Sequence, residues 1–191
     1  VPLLSQNRQF QWFNSPTYIY PMVPAYAATL LKENGYEVMW DDAIAEGFTY
    51  IQWLDRIERE KPDVIAIETK TPVVKRHWQI INDVKQLATR NSQPVTILMG
   101  DHVTALPEES MQNSPVDFVL TGGDYDFLLL NLCNALKNAI AHSPSPIASN
   151  HLPFAFSPLP DLAPGIWYRH NGEIKNTGNH QLNHDLNSLP L

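Results

Sequence analysis

Short apolar runs alternate with longer amphipathic segments through most of this sequence. The apolar runs, at residues 36–40, 63–67, 95–99 and 116–120, are rich in β-branched side chains and bounded by Pro or Gly, which is typical of buried strands. Between them, apolar side chains recur at helical spacing over residues 22–34, 48–60, 73–90 and 124–141, and a shorter helix is predicted over 105–112. This alternation predicts an α/β fold with a parallel, doubly wound sheet.

The composition changes near His142. Residues 143–165 hold six prolines and few charges, which is typical of an extended connector. Asn171-Gly172 then lies between two short β runs, 165–169 and 173–175, and predicts a hairpin. We therefore expect an α/β domain over residues 1–142 and a connector, hairpin and tail over 143–191. At the other end, Val1-Pro2 is predicted to be the stump of a preceding strand, and the chain reads as a piece of a longer protein.

Composition and charge exclude several classes of protein. The 191 residues are 43% hydrophobic and 17% charged, which argues against intrinsic disorder. The net charge of -7 argues against nucleic-acid binding, so no nucleic-acid partner is expected. A single cysteine, Cys133, excludes an internal disulfide and any cysteine-built zinc or iron–sulfur site within this chain. No apolar run is long enough for a membrane helix and no signal peptide is visible, so a cytoplasmic protein is expected, with no membrane insertion.

Loops rich in small and hydroxyl side chains follow three of the predicted strands. They cover residues 68–72, 100–105 and 121–126. Ligands of open parallel sheets bind beyond the carboxyl ends of the strands, so these loops predict a binding edge. The aromatic side chains of the segment 3–21 would lie over the same edge and suit a large flat ligand. The alternative for each loop is a purely structural role in turns and helix caps.

Of the residues in these loops, His102 could take the largest number of chemical roles. At the carboxyl end of a strand it could bind a metal, move a proton or hydrogen-bond a ligand, and the alternative is a capping histidine. His180 and His184 have the spacing of a metal pair on a helix, but their segment lacks a helical apolar face. The sequence contains neither G-x-G-x-x-G nor a P-loop motif, and the acids and lysine of a receiver domain are not in the required places.

Taken together, the motifs resemble the N-terminal cobalamin-binding domain of radical SAM enzymes, close to the anaerobic magnesium-protoporphyrin IX monomethyl ester cyclase type. The matching stretches are PAYAATLLKENGYEV at 24–38, KPDVI at 61–65, MGDHVTALPEE at 99–109 and VDFVLTGGDYD at 116–126. PGIWYRHNGEI at 164–174 and DLNSLP at 185–190 resemble the lead into the family's catalytic barrel. The resemblance covers nearly the whole chain and implies a flavodoxin-like, Rossmann-like fold.

The resemblance also implies a cofactor and its contacts. Cobalamin would lie at the carboxyl edge of the sheet, with Thr69, Lys70 and Thr71 under one edge of the ring. The nucleotide tail would run along Gly100, Asp101, His102, Val103 and Thr104, with Thr121, Gly122 and Gly123 on its other side. The family's D-x-H-x-x-G motif is missing, so the implied cobalamin is base-off, without a histidine ligand from that loop and without any metal ligand assigned in this chain.

The catalytic half of the family lies outside this chain. The C-x-x-x-C-x-x-C motif for the four-iron–four-sulfur cluster that cleaves S-adenosylmethionine needs three cysteines, and this chain has one. The resemblance therefore implies a C-terminal radical SAM barrel as the partner of this domain. That parent would perform methyl transfer or oxidative ring cyclisation, while this chain alone is not expected to be catalytic.

Two other functions stay open at this point. The first is an interaction or substrate-docking domain of the same fold that holds no cofactor, which the missing D-x-H-x-x-G motif and Asp101 favour. The second is a small-molecule enzyme that uses Asp101 and His102 as acid and base. Turnover by this chain alone would support the second.

Overall fold

The computed structural model describes residues 21–41, 46–87, 93–141, 159, 161–182, 185 and 187. The helices are α1 Met22–Glu33, α2 Tyr50–Glu60, α3 Val74–Leu87, α4 Asp101–Ala105, α5 Pro107–Asn113 and α6 Tyr125–Ala141. The strands are β1 Val64–Glu68, β2 Val95–Met99, β3 Phe118–Leu120, β4 Ile166–His170 and β5 Glu173–Asn176. The five predicted helices and three of the four predicted strands are confirmed within a few residues.

The sheet is mixed, with strand order β1-β2-β3-β4-β5. β1, β2 and β3 are parallel, whereas the predicted hairpin forms β4 and β5 and pairs antiparallel with β3. The predicted parallel sheet thus consists of β1 to β3, and the predicted hairpin extends it as an antiparallel edge. The hairpin joins the sheet because Ile166, at its start, is fully buried in the core beside β3.

One predicted strand is absent from the sheet. Residues 36–40 form neither helix nor strand and pair with no described strand. The segment is instead held against α2, where Arg56 bonds Asp41 at 2.7 Å and Met39 Sδ at 3.1 Å. An apolar run becomes a strand only where another strand offers a ladder of hydrogen bonds, and none lies beside it among the described residues. The predicted stump at Val1-Pro2 and most of the connector lie outside the described residues.

Helices cover both faces of the sheet, as a doubly wound architecture requires. Alternate residues of β2 face opposite sides: Val95, Ile97 and Met99 pack with α1 and α6, while Leu98 packs with Ile81 of α3 and Met111 of α5. Every residue of β2 is buried, which explains its continuous apolar sequence.

Local signals fix several helix ends. Thr49 caps α2 by accepting a hydrogen bond from the backbone of Gln52, whose side chain bonds back to the Thr49 backbone. α1 ends at Glu33, and its C-cap Asn34 is followed by Gly35 at φ +80°. No helix in the described part of the chain is both long and apolar enough to cross a bilayer.

Candidate functional site

The carboxyl ends of β1, β2 and β3 meet at one edge of the sheet, which we call the carboxyl edge. Three segments follow these strands: the first loop, residues 69–71; the second loop, residues 100–104; and the third loop, residues 121–123. The second loop is not irregular as expected, because residues 101–105 form the short helix α4. Because the three strands are parallel and adjacent, the three segments lie side by side.

A charged network joins the first and second loops. Lys70 Nζ lies 3.0 Å from Asp101 Oδ2 and 3.5 Å from Glu68 Oε1. The hydroxyl of Tyr125, at the start of α6, donates to Glu68 Oε1 at 3.0 Å. Burial, and then the neighbouring Glu68 carboxylate, raise the pKa of Tyr125, so its phenol stays protonated and keeps donating at neutral pH. Sequence reasoning assigned no role to Glu68 or Tyr125, because their proximity depends on the packing of α6.

Backbone packing explains the glycine at the start of the second loop. Gly100 has φ +114°, and a Cβ placed there would lie 2.4 Å from the carbonyl oxygen of Thr69. A larger residue would therefore push the first and second loops apart. The close approach at this glycine is to the protein's own backbone, so a substitution of Gly100 would test the fold together with the site.

Thr104 joins the second and third loops. Its hydroxyl donates to the carbonyl of Gly100 at 2.9 Å and accepts from the backbone N–H of Gly122 at 3.0 Å. The hydroxyl and the N–H of Thr121 both donate to the carbonyl of Gly165, at 2.8 and 2.9 Å. These threonines therefore fix the shape of the edge through hydrogen bonds within the protein.

His102 is buried, with its ring between the first loop, α3 and α5. Its Nδ1 lies 3.2 Å from Thr71 Oγ1, and its Nε2 lies 3.2 Å from Glu109 Oε2. The ring of Trp78 approaches it edge-on at 6.4 Å. Val103 is fully buried in the core, where it packs with Leu98 of β2 and Met111 of α5. The contacts of both residues are with the protein itself, so their side chains anchor α4.

The tail after the hairpin reaches the third loop, which sequence reasoning missed. The ring of His180 lies so close to Gly122 that a Cβ there would be 2.6 Å from it, and Gly165 lies against the same side chain. The sequence singled out His180 only as half of a possible metal pair, not as a contact of the third loop. The other half of that pair, His184, lies outside the described residues. No group of three or more potential metal-binding side chains gathers in the part of the chain that the structure describes.

Three groups at the carboxyl edge are available to a ligand. Asp101 has a side chain that is 72% exposed, and Thr71 and Gly123 are exposed. Thr69 is fully buried, and its hydroxyl has no hydrogen-bond partner among the described residues. Buried hydroxyls are normally hydrogen-bonded, so this one is conspicuous. The edge thus offers an exposed carboxylate, an exposed threonine and bare backbone, a set of groups that suits a large ligand with a polar rim.

The fold is an α/β, Rossmann-like fold, and a solved structure shares it. The radical S-adenosylmethionine methyltransferase TsrM from Kitasatospora setae, solved with cobalamin and a [4Fe-4S] cluster bound, matches with a TM-score of 0.61. The match covers 90% of this chain and 28% of that chain, at 14% sequence identity. At that identity the likeness concerns the fold.

Two curated proteins are similar in sequence, while no family model matches the chain. An uncharacterized methyltransferase of Pyrococcus horikoshii, PH0819, is 22% identical over 90% of this chain and 32% of its own length. The anaerobic magnesium-protoporphyrin IX monomethyl ester cyclase of Rubrivivax gelatinosus is 27% identical over 61% of this chain and 20% of its own length. The chain therefore spans a third or less of the length of these relatives.

Proposed function

We propose that this chain is a cobalamin-binding module with a flavodoxin-like fold, and that it serves a radical SAM enzyme. The observation that carries the proposal is the convergence of the first, second and third loops at the carboxyl edge. The fold is that of TsrM, a methyltransferase whose solved structure holds cobalamin. The cofactor would supply methyl-transfer or redox chemistry, and the protein would hold and orient it.

The residues of the carboxyl edge fit such a cofactor. The rim of the corrin carries amide groups, which both donate and accept hydrogen bonds. Asp101 can accept from an amide, and Lys70 can donate to one. Gly123 is exposed and has no side chain, so the nucleotide tail can approach the backbone closely.

The proposed module would hold its cobalamin in the base-off form. The ring of His102 is buried between Thr71 and Glu109, with each ring nitrogen 3.2 Å from an oxygen of one of them. Its ring would therefore not be free to bind cobalt, in keeping with a module that lacks the D-x-H-x-x-G histidine. The iron–sulfur cluster and S-adenosylmethionine would belong to a radical SAM barrel of the parent protein, where methyl transfer or ring cyclisation would take place.

A second candidate is a docking domain that holds no cofactor. One observation favours it: His180 already covers Gly122, so the chain's own tail occupies part of the third loop. In this case the carboxyl edge would shape a substrate entrance or bind another domain. The candidates differ in whether the purified chain binds cobalamin.

Gly123 offers a sharp test by mutation. A Cβ at this position would lie 3.7 Å from Leu182, an ordinary contact, so Gly123→Trp should fold while filling the carboxyl edge. We expect the parent chain to bind methylcobalamin saturably with a base-off spectrum, and Gly123→Trp to weaken the affinity at least about tenfold, equivalent to about 1.4 kcal/mol. Absorbance titration measures both.

The matched control is Gln93→Trp, at an exposed position just before β2, at the opposite end of the sheet. It should bind as the parent does. Equal affinity of all three proteins would mean that the cofactor does not bind at the carboxyl edge. Absence of saturable binding by the parent at high micromolar cofactor would favour the docking domain instead.

A further inference from the structure

The segment that follows the hairpin is anchored beside the third loop. The N–H of Thr177, directly after β5, donates to the carbonyl of Ile166 at the start of β4, at 3.0 Å. The N–H of Gly165 donates to the carbonyl of Gly178, also at 3.0 Å. Because these bonds hold the backbone as far as Gly178, the fold also sets the position of His180, two residues further along the chain.

Two glycines form a seat for the side chain of His180. Both have positive φ, +96° at Gly122 and +101° at Gly165. A Cβ on Gly122 would lie 2.6, 2.7 and 3.0 Å from Cδ2, Cγ and Cβ of His180, and a Cβ on Gly165 would lie 2.8 Å from Cβ of the same residue. All of these His180 atoms are carbons, so the side chain packs against the third loop through its carbon atoms.

The ring nitrogens of His180 are left for a ligand. The residue is exposed, and neither nitrogen makes a hydrogen bond within the part of the chain that the structure describes. The fold thus presents an imidazole at the carboxyl edge, beside Gly122 and the exposed Gly123. An imidazole N–H can donate to a phosphate oxygen whether the ring is neutral or protonated.

Several hydrogen-bond donors near the third loop are already engaged within the protein. The N–H of Gly122 bonds to a threonine hydroxyl, and the hydroxyl and N–H of Thr121 bond to a backbone carbonyl. Lys70 of the first loop lies between two carboxylates, at 3.0 and 3.5 Å, which balance its charge. An anionic ligand group at the third loop therefore finds in His180 a donor that none of the described residues occupies.

We propose that His180 binds the phosphodiester of the nucleotide tail, as a hydrogen-bond donor to one of its oxygens. This inference rests on the proposed function, in which cobalamin lies at the carboxyl edge. The amides on the corrin rim are neutral, whereas the phosphodiester of the tail carries a negative charge. His180 thus recognises the part of the cofactor that cobinamide, the corrinoid without the nucleotide, lacks. The contact of His180 with the third loop then serves the cofactor rather than replacing it.

The test compares two corrinoids that differ only in the nucleotide. Equilibrium dialysis of the 191-residue chain measures the Kd of methylcobalamin and of methylcobinamide. We expect His180→Ala to raise the Kd of methylcobalamin at least about tenfold and to leave that of methylcobinamide within about twofold, because a hydrogen bond to a charged group is lost only from the first. His180→Gln keeps an N–H donor and should recover part of the loss. The matched control is His170→Ala, at the end of β4 away from the carboxyl edge, which should bind both corrinoids as the parent does.

The remaining outcomes separate this inference from the proposed function. A similar loss of both corrinoids in His180→Ala would mean that the residue shapes the third loop without contacting the nucleotide. No loss of either would mean that it makes no contact, and each of these results overturns the inference alone. Saturable binding of neither corrinoid by the parent overturns the proposed function and the inference with it. The ³¹P NMR shift of bound methylcobalamin should differ between the parent and His180→Ala, and an identical shift contradicts a contact with the phosphodiester.

Discussion

His77 shows how one buried side chain ties stability to pH. Burial, and secondly the positive charge of Arg76, lower the pKa of His77 from 6.5 to about 4. The folded protein thus keeps a neutral imidazole at a pH where the unfolded chain takes up a proton. Because the unfolded chain binds more protons in this window, the free energy of unfolding falls as the pH drops from about 6.5 to about 4.

Replacing His77 by leucine should remove this dependence. We expect His77→Leu to have a flatter pH profile of the free energy of unfolding, differing from the parent by about 3 kcal/mol between neutral pH and about pH 4. At neutral pH the variant should be no less stable, because an unpartnered polar group is lost and an apolar one is gained. Urea unfolding at a series of pH values measures both. Parallel profiles for parent and variant would contradict the prediction.

Cys133 is a second buried titratable residue, and its pKa is shifted in the opposite direction to that of His77. Burial raises the pKa of its thiol to about 11, so the reactive thiolate is scarce at neutral pH. The position of Cys133 in the apolar stripe of residues 124–141 indicates such an inert, buried thiol, and in the structure it lies in the core. The sequence does not show whether the ring of His77 has hydrogen-bond partners, because that depends on which side chains of other elements come within reach.

At the level of elements, Asp117 joins β2, β3 and α3 through one carboxylate oxygen. Its Oδ2 accepts from Lys85 Nζ at 2.6 Å and from the N–H and hydroxyl of Thr96 at 2.7 and 2.8 Å. Both charged side chains are mostly buried. The network lies at the amino ends of the strands, opposite the carboxyl edge, so its role is to fix the register of the sheet.

Asp117→Ala should destabilise the fold by about 2–4 kcal/mol, because three charge-assisted hydrogen bonds are lost and a mostly buried ammonium loses its carboxylate. Denaturant unfolding measures the loss. Asp63→Ala is the matched control, since Asp63 is exposed beside the same end of the sheet, and it should unfold almost as the parent does. Equal effects of the two substitutions would mean that the Asp117 network contributes little.

Hydrophobic patterning predicted the elements that need only an apolar face buried in the core. The amphipathic stripes of α1, α3 and α6 and the apolar run of β2 identify buried faces, so these elements form as expected. The run at 36–40 has the same composition as a strand, but patterning does not say whether a neighbouring strand is present. The short α4 was missed because it has only five residues, too few for a helical period to be read.

The candidate site was predicted only as far as the parallel sheet determines it. Three loops at one edge follow from strand direction alone, and the contacts of Lys70 with Asp101 and of Thr104 with Gly122 fit that expectation. The inward orientation of His102 depends on α5 supplying Glu109. The approach of His180 to Gly122 depends on the hairpin returning the chain to the carboxyl edge.

For the whole molecule, the hairpin is the feature that bears on the predicted domain boundary at residue 142. β4 pairs with β3, a strand in which all three residues are buried. Ile166 and Leu159 contribute to the same core cluster as α6. Asn131 of α6 adds two bonds to the segment before the hairpin, to the carbonyl of Asp161 at 3.1 Å and from the N–H of Ala163 at 2.8 Å.

A chain that ends at residue 142 should therefore lose the cooperative fold. Removal of β4 would expose β3 as an open apolar edge and take Ile166 out of the core, which favours aggregation. We expect this shortened chain to lack the thermal transition of the parent in circular dichroism. A chain that ends at residue 182 keeps the whole described sheet and is the control, expected to unfold like the parent. If the chain ending at 142 unfolds at the same temperature as the parent, the α/β domain is complete without the hairpin, and the boundary predicted from the proline-rich connector is a true domain boundary.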